Sequence, residues 1–511
     1  MKNDVFDNVY LRAAKQFVEL NPLYYSETQL WWLWNHNLNE WQIVDETDIL
    51  ILVDDELAIN DSVQSSKKNM ILEALRRVAR KNIPSQLPSH IIQIDDCLIN
   101  LLNGETFVAG PEYFTTNRIP WGLGSTSETP TIDRLLHDWV GNDWLLLKEI
   151  IAYCMITDYP LHRIFCFNGS GSNGKSTCLR LIEKIIGHSN VTSTDLENLM
   201  SSRFEVSKLF KKNVCMMGET NFNTLQKTGL LKKLTGQDLI SGEFKNKPSF
   251  DFRNYAKIIV ATNQLPMTGD RTDGFYRRWV IIDFNKQFHE QKDVLADIPD
   301  VEFMNFCRYA LDTLPLIISR GSFTGEGSIE DRRQRYDERS DPMKSFIEGY
   351  CYVHPDAEVS FNAFYVRFTR YLKDKGLRSI SYKLVSHQLA EKSFSTERKN
   401  FRSDDGLYSK VTMILGLRLR SELLDFVDNA SKNELNDSYG HHSPDSPHLL
   451  FSPIEKEMSR TMRGIGTIGT INDFDEKVRI NSSYSYHTEC VDCGLKVATE
   501  LDDNGRCKLC R

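Results

Sequence analysis

Gly169-Ser170-Gly171-Ser172-Asn173-Gly174-Lys175-Ser176 is a G-x-x-x-x-G-K-S phosphate loop, and the sequence on either side of it decides the fold. Before it stands the apolar run Ile164 to Phe167; after it, apolar residues recur at helical spacing from Cys178 to Ile186. Strand, glycine-rich turn and helix is the context in which this motif binds a nucleoside triphosphate. Its glycines (Gly169, Gly171, Gly174) let backbone N–H groups close around phosphate oxygens, with Ser170, Ser172 and Asn173 filling the turn. Lys175 brings positive charge to the β- and γ-phosphates, and the Ser176 hydroxyl, followed by Thr177, can ligate Mg²⁺. The expected ligands are ATP and Mg²⁺, and the expected fold class is α/β.

With 511 residues, 41% of them hydrophobic and 26% charged, the chain is long enough for about three globular domains. The N-terminus MKNDVFDNVY lacks the layout of a signal peptide, and no apolar run approaches the ~18 residues of a membrane span. The expectation is a soluble, cytoplasmic protein without a membrane partner. A net charge of −8 argues against a nucleic-acid partner only until its distribution is read. Residues 361–420 hold 13 Lys and Arg against 5 Asp and Glu, whereas residues 421–511 hold 10 against 16. A basic module therefore precedes an acidic tail.

Residues 1–88 read as a small Trp-rich domain in which Asp48-Ile-Leu-Ile-Leu-Val-Asp54 is a buried strand and Met70 to Lys81 a helix. Residues 89–145 read as strands and turns around Asn103-Gly104 and then a helical lead-in. Residues 146–335 form the nucleotide-binding core, with further strands at Asn213–Gly218, Tyr255–Ala261 and Trp279–Phe284 in a parallel sheet. Residues 336–424 read as helix, helix, helix and a hairpin turning at Asp404-Asp405-Gly406, a winged-helix order. Residues 425–484 are a polar, acidic tether, and residues 485–511 a zinc ribbon.

Hydrolysis needs an acid at the end of a neighbouring strand, and Glu219, closing VCMMG, fits. Asn263 follows IIVAT, where its amide can hold the attacking water or sense the γ-phosphate. Arg277-Arg278 opens the last strand, and either arginine is suited to act as a finger on a neighbouring subunit's nucleotide. Between Glu219 and Asn263 lies a basic hairpin with Lys245 and Lys247 near its turn; lysines there can grip phosphates of a single strand, and Phe244 can add stacking.

These motifs, in this order, resemble the superfamily 3 helicases, specifically the primase-helicase branch of phages, plasmids and large DNA viruses. GSGSNGKST, VCMMGET, KLTGQDLISGEFKNK, IIVATNQLP and DGFYRRW carry the resemblance, preceded by NLLNGETFVAGPEYFTTNRIPW, TIDRLLHDWV and EIIAYCMITD, so that it covers residues 90–420. It implies a AAA+ core, usually hexameric, that hydrolyses ATP between subunits and tracks along one DNA strand. It further implies that Lys175, Ser176, Glu219, Asn263 and one of Arg277 and Arg278 form the ATPase centre, and that Lys245 and Lys247 lie on a DNA-gripping hairpin. Residues Asp341–Arg420 match its winged-helix end, with Ser381–Lys392 as the recognition helix and Lys383, Lys392, Arg398 and Lys399 toward DNA. A primase domain is not expected here. Fewer than 90 residues precede the lead-in, where a polymerising domain needs roughly 150. Priming is therefore assigned to a separate primase or polymerase partner.

Of 11 cysteines, seven are scattered singly in apolar contexts and are expected to be core thiols. The other four, Cys490-x-x-Cys493 and Cys507-x-x-Cys510, have the spacing of a four-thiolate Zn²⁺ site with no open position, docking DNA or protein. The functional expectation is an ATP-dependent replicative DNA helicase of a mobile element. The alternatives are an ATP-switched origin-binding initiator, or a loading or remodelling ATPase that does not unwind.

Overall fold

Five apolar segments become five parallel strands: β1 Ile164–Asn168, β2 Val191–Ser193, β3 Val214–Met217, β4 Lys257–Thr262 and β5 Trp279–Asp283, in the order β5-β1-β4-β3-β2. The computed structural model describes residues 2–56, 65–218, 224–225, 228–288, 293–377, 379–402, 408–420, 488–489 and 496–497. In β1, β3, β4 and β5 every residue is buried, as a parallel sheet covered on both faces requires. Alternate residues serve two cores. Phe165, Phe167, Ile259 and Ile282 pack against the helices Pro130–Val140, Trp144–Tyr153, Lys175–Ile186 and Asp300–Arg320. Ile164, Cys166, Ile258 and Ile281 face the other way, toward Leu199, Leu234, Phe252 and Tyr336. The fold is mixed α/β, with a central sheet consistent with a P-loop ATPase core. The edge strand β2, only three residues of VTS, carries too little apolar pattern to be read from sequence.

The N-terminal residues depart from expectation in one element. Asp48–Asp54 lies in a helix, Glu46–Glu56, not a strand. Asp45 caps it, accepting from the amides of Thr47 at 2.7 Å and Asp48 at 2.9 Å, while the Asp48 carboxylate accepts from the Asp45 amide at 3.0 Å. Ile49 and Val53, four apart, are buried and Ile51 between them is exposed, so the run has helical rather than strand periodicity. The Trp-rich segment forms an antiparallel meander of Leu23–Tyr25, Trp31–Asn35 and Glu40–Val44. Residues 89–145 open on a second meander, Ile91–Ile94, Cys97–Asn100 and Thr106–Val108. Trp32, Trp34 and Trp41 share one core with Leu98 and Ala109, and Trp41 Nε1 donates to Tyr113 O at 3.0 Å, so packing crosses the boundary expected at residue 88.

The boundary expected at 335 also falls inside an element, the helix Ile329–Ser340; Asp341 then caps the helix Pro342–Tyr350 through the Lys344 amide. From there the order is helix Pro342–Tyr350, strand Cys351–Ser360, helices Phe361–Asp374 and Tyr382–Glu391, and strands Thr396–Arg402 and Tyr408–Leu419, the last in the middle of a three-stranded antiparallel sheet. Phe346, Phe364, Phe368, Leu389 and Leu417 form the core of this module. The strand Cys351–Ser360 is absent from the sequence expectation because it is a largely exposed edge containing Pro355, with its register broken between Val353 and Glu358.

Residues 431–511 form a unit of their own, in which two strands are described, Thr488–Glu489 and Lys496–Val497, paired antiparallel. The Asp404-Asp405-Gly406 turn, residues 425–484 and the four terminal cysteines lie outside the described residues. The other seven cysteines are free and, apart from half-buried Cys97, buried; burial pushes the Cys154 thiol up to about 12. Among the described residues no helix is long and apolar enough to cross a membrane.

Candidate functional site: the phosphate loop and its surroundings

The phosphate loop leaves β1 at Asn168 and enters the helix Lys175–Ile186 through Gly174, whose φ of 89° is in the left-handed region. A Cβ on Gly174 would sit 2.7 Å from Trp139 Cδ1, and one on Gly169 would sit 2.4 Å from Phe284 O, so both positions demand glycine for close approach as well as for conformation. Lys175 is buried. Its ammonium donates to Gly169 O, to Asn173 Oδ1 at 3.1 Å and to Asn263 Oδ1 at 3.3 Å. Ser176 is exposed in the first helical turn, where backbone N–H groups have no intrahelical partner. A buried cation, an exposed hydroxyl and first-turn amides in one turn suit a phosphate with its Mg²⁺. Among the described residues no cluster of His, Cys, Asp and Glu is disposed to hold a metal by itself.

Of the residues expected around the loop, Asn263 is brought to it directly, from the residue after β4. Glu219, two residues beyond the end of β3, lies outside the described residues. The two arginines are sharply different. Arg278 is buried, its Nε donating to Thr235 Oγ1 at 2.8 Å and its terminal nitrogens to Gly274 O and to Lys232 O. Burial, together with the charge of Arg277, holds its pKa below the usual value. Arg277 is exposed, with no side-chain hydrogen bond or ion pair among the described residues.

The basic hairpin consists of Leu239–Glu243 and Ser249–Arg253. Lys245 is exposed at its turn, whereas Lys247 Nζ donates to Gln29 O at 2.9 Å, in the loop before the strand Trp31–Asn35. Phe244 is half-buried and already packed within the protein: it lies parallel to Phe250 at 5.0 Å and meets Phe210 edge-on at 6.2 Å. In the C-terminal module, Ser381 caps the helix Tyr382–Glu391 and Lys383 and Arg398 are exposed. Lys392 is paired with Asp341 at 2.6 Å, and Lys399 is paired with Glu358.

Sequence reading missed the anchor behind the loop. Asp283, which ends β5, accepts Asn168 Nδ2 at 2.9 Å and the guanidinium of Arg339, with Nε at 2.9 Å and Nη2 at 2.5 Å; Arg335 lies 3.2 Å away. Burial acts to raise the Asp283 carboxyl, but the Arg339 guanidinium overrides it and holds it below the usual carboxylate range. The available signal was an acid closing an apolar strand, WVIID, and a later arginine-rich helix, IEDRRQRYDERS; nothing in one sequence pairs them.

Residues 167–278, which run from β1 to the two arginines, match the model of a family described as a family of unknown function (DUF5906). A stretch of 149 residues, 28% of this chain, is 26% identical to the putative helicase L207/L206 of Acanthamoeba polyphaga mimivirus. That stretch spans only 15% of the relative's length. The chain is thus distantly related to a viral protein described as a putative helicase. Two apo structures of the NrS-1 C terminal region align over 80% of this chain and 99% of theirs, with TM-scores of 0.41 and 0.39 at 12% and 11% identity.

Proposed function

We propose that this chain is an ATP-dependent DNA helicase of superfamily 3, with a AAA+ core that assembles as a ring, a winged-helix module over residues 342–420 and a terminal zinc ribbon. The observation that carries the reading is the reach of buried Lys175 from the phosphate loop to Asn263 at the tip of the adjacent parallel strand. That juxtaposition puts the phosphate-binding cation and a polar amide at one point, where a γ-phosphate and its attacking water meet. Lys175 and the loop amides hold the phosphates, and the Ser176 hydroxyl faces the metal that accompanies them. Glu219 acts as the catalytic acid, and Asn263 orients water. Arg277 is the better finger because it is exposed, while Arg278 is consumed inside its own subunit.

In the same reading, Lys245 is the hairpin's contact to single-stranded DNA, and Lys383 and Arg398 are the module's contacts to duplex or fork; all three are exposed cations. The strand pair Thr488–Glu489 and Lys496–Val497 brackets Cys490 and Cys493, which supports a knuckle of a four-cysteine zinc site with Cys507 and Cys510. One zinc per chain by elemental analysis, lost on Cys493→Ser, is the expected result.

The deciding experiment is ATP turnover with and without single-stranded DNA, followed by strand displacement on forked duplexes with opposite tails. DNA-stimulated turnover with one preferred tail is expected. Turnover indifferent to DNA, with no displacement, would replace this reading with an initiator or a remodelling ATPase.

A further inference from the structure

Ion pairs buried between two modules seldom hold them together better than apolar side chains of similar volume; what they supply is directional geometry. The last turn of the helix Ile329–Ser340 carries one buried pair, Arg339 with Asp283, and one half-buried pair, Glu338 with Lys375. On one side, Arg339 forks onto Asp283, which also takes the Asn168 amide next to the phosphate loop. The segment just beyond Asp283 holds that loop from behind: Phe284 O accepts Asn173 Nδ2 at 2.9 Å, and the Phe288 amide donates to Ser172 O at 2.8 Å. Asn173 in turn holds Lys175.

On the other side, Glu338 accepts Arg339 Nη1 at 3.2 Å and Lys375 Nζ at 2.7 Å, and Lys375 is the C-cap of the helix Phe361–Asp374 in the C-terminal module. Polar contacts, joined by the peptide link between Asp283 and Phe284, thus run from Lys175 to that module. A second contact does not depend on charge. Gly376 has φ +67°, and a Cβ there would lie 2.7 Å from Asn285 Oδ1, so the module's turn seats on the residue two beyond Asp283.

Resting on the reading of residues 169–176 as a nucleotide seat, we propose that Asp283–Arg339–Glu338–Lys375, with Asn285 on Gly376, couples that seat to the C-terminal module. Arg339, Glu338 and Lys375 are positioning residues. A phosphate arriving at Lys175 competes for the ammonium now held by Gly169 O and Asn173, and Asn173 is itself tied to Phe284. The strain passes to the segment that both Arg339 and Gly376 touch. Because linkage is reciprocal, a ligand on the module acts back on the nucleotide seat.

The test uses the full chain, as wild type, Lys375→Gln, Lys375→Arg and Glu338→Gln. Fluorescent mant-ADP titration first measures nucleotide binding. Hydrogen exchange at residues 371–377 is then followed with and without Mg-ADP. Exchange there is expected to slow at least about threefold in wild type and Lys375→Arg, and by less than about 1.5-fold in Lys375→Gln and Glu338→Gln, with mant-ADP affinity within about twofold throughout. Where single-stranded DNA stimulates turnover, the same two Gln variants keep basal kcat and KM and lose at least about half of the stimulation. Slowing that persists in Lys375→Gln, or is missing from a wild type that binds mant-ADP, overturns the coupling alone. A wild type that fails to bind mant-ADP overturns the nucleotide reading and the coupling with it.

Discussion

The ammonium of Lys175 lies 3.3 Å from the side-chain oxygen of Asn263, 88 residues away in sequence and one strand over in the sheet. Lys175→Ala should therefore abolish ATP hydrolysis and weaken nucleotide binding. Asn263→Ala should lower kcat by about 10²-fold or more while leaving mant-ATP affinity within a few-fold, because an amide that orients water acts mainly in the transition state. Comparable losses in kcat and affinity for Asn263→Ala would reassign it to ground-state binding.

The neighbouring arginines should separate cleanly. Arg278→Ala strips Thr235, Gly274 and Lys232 of a buried donor and is expected to cost about 2–3 kcal/mol in urea unfolding. Arg277→Ala should leave the unfolding midpoint unchanged and reduce turnover about 10³-fold. When Arg277→Ala subunits are mixed with Glu219→Gln subunits, partial recovery of turnover marks a finger supplied to the next subunit. Absence of recovery at every ratio would count against it.

The Asp283–Arg339 pair makes a prediction in acid. The folded carboxyl titrates below its unfolded value, so its stabilisation is present above the unfolded pKa, about 4, and is lost as pH falls through the folded one. Asp283→Asn should cost about 2–3 kcal/mol at pH 7, since buried Arg339 loses its forked carboxylate and keeps only Glu338 as an ionic partner among the described residues. It should also remove that part of the acid slope. The check is chemical denaturation from pH 7 to pH 3 of wild type, Asp283→Asn, Arg339→Gln and the double variant, in which the two losses should not add.

Lys257 gives the opposite slope. The first residue of β4, it is fully buried; its ammonium donates to Ile156 O and stands 5.1 Å from the Tyr153 ring centre, and burial pushes its pKa down to about 7. Between about pH 7 and 10 the unfolded chain binds the proton and the folded chain does not, so this group makes stability rise with pH. Lys257→Met is expected to raise the melting temperature at pH 7 and to flatten the rise between pH 7 and 9. An unchanged slope in the variant would assign it to other groups.

On the proposed reading the two hairpin lysines should differ. Lys245→Ala, at an exposed turn, should abolish stimulation of turnover by single strands. Lys247→Ala should reduce it less in this conformation, because Lys247 is bonded to Gln29 O. Anisotropy titration of a labelled single strand at two salt concentrations reads the loss, with a shallower salt dependence expected for Lys245→Ala.

The phosphate loop, three of the four strands that flank it in the sheet and the helices behind them were legible because each is local: glycine spacing, a run of apolar residues or helical periodicity within about a dozen positions. The same locality misread Asp48–Asp54, where the cap at Asp45 and the i, i+4 spacing of Ile49 and Val53 decide for helix. It also passed over the edge strand Cys351–Ser360, which has no buried face to pattern it. Sequence alone determined the residue types at the phosphate loop, the basic module and the cysteine spacing. Only tertiary structure decided which of two adjacent arginines is consumed inside the fold, that Phe244 packs inward, and that Asp283 meets Arg339 across 56 positions. A lone charged residue carries no local sign of its partner; burial raises the cost of leaving it unpaired, and the chain's path through space supplies the pair.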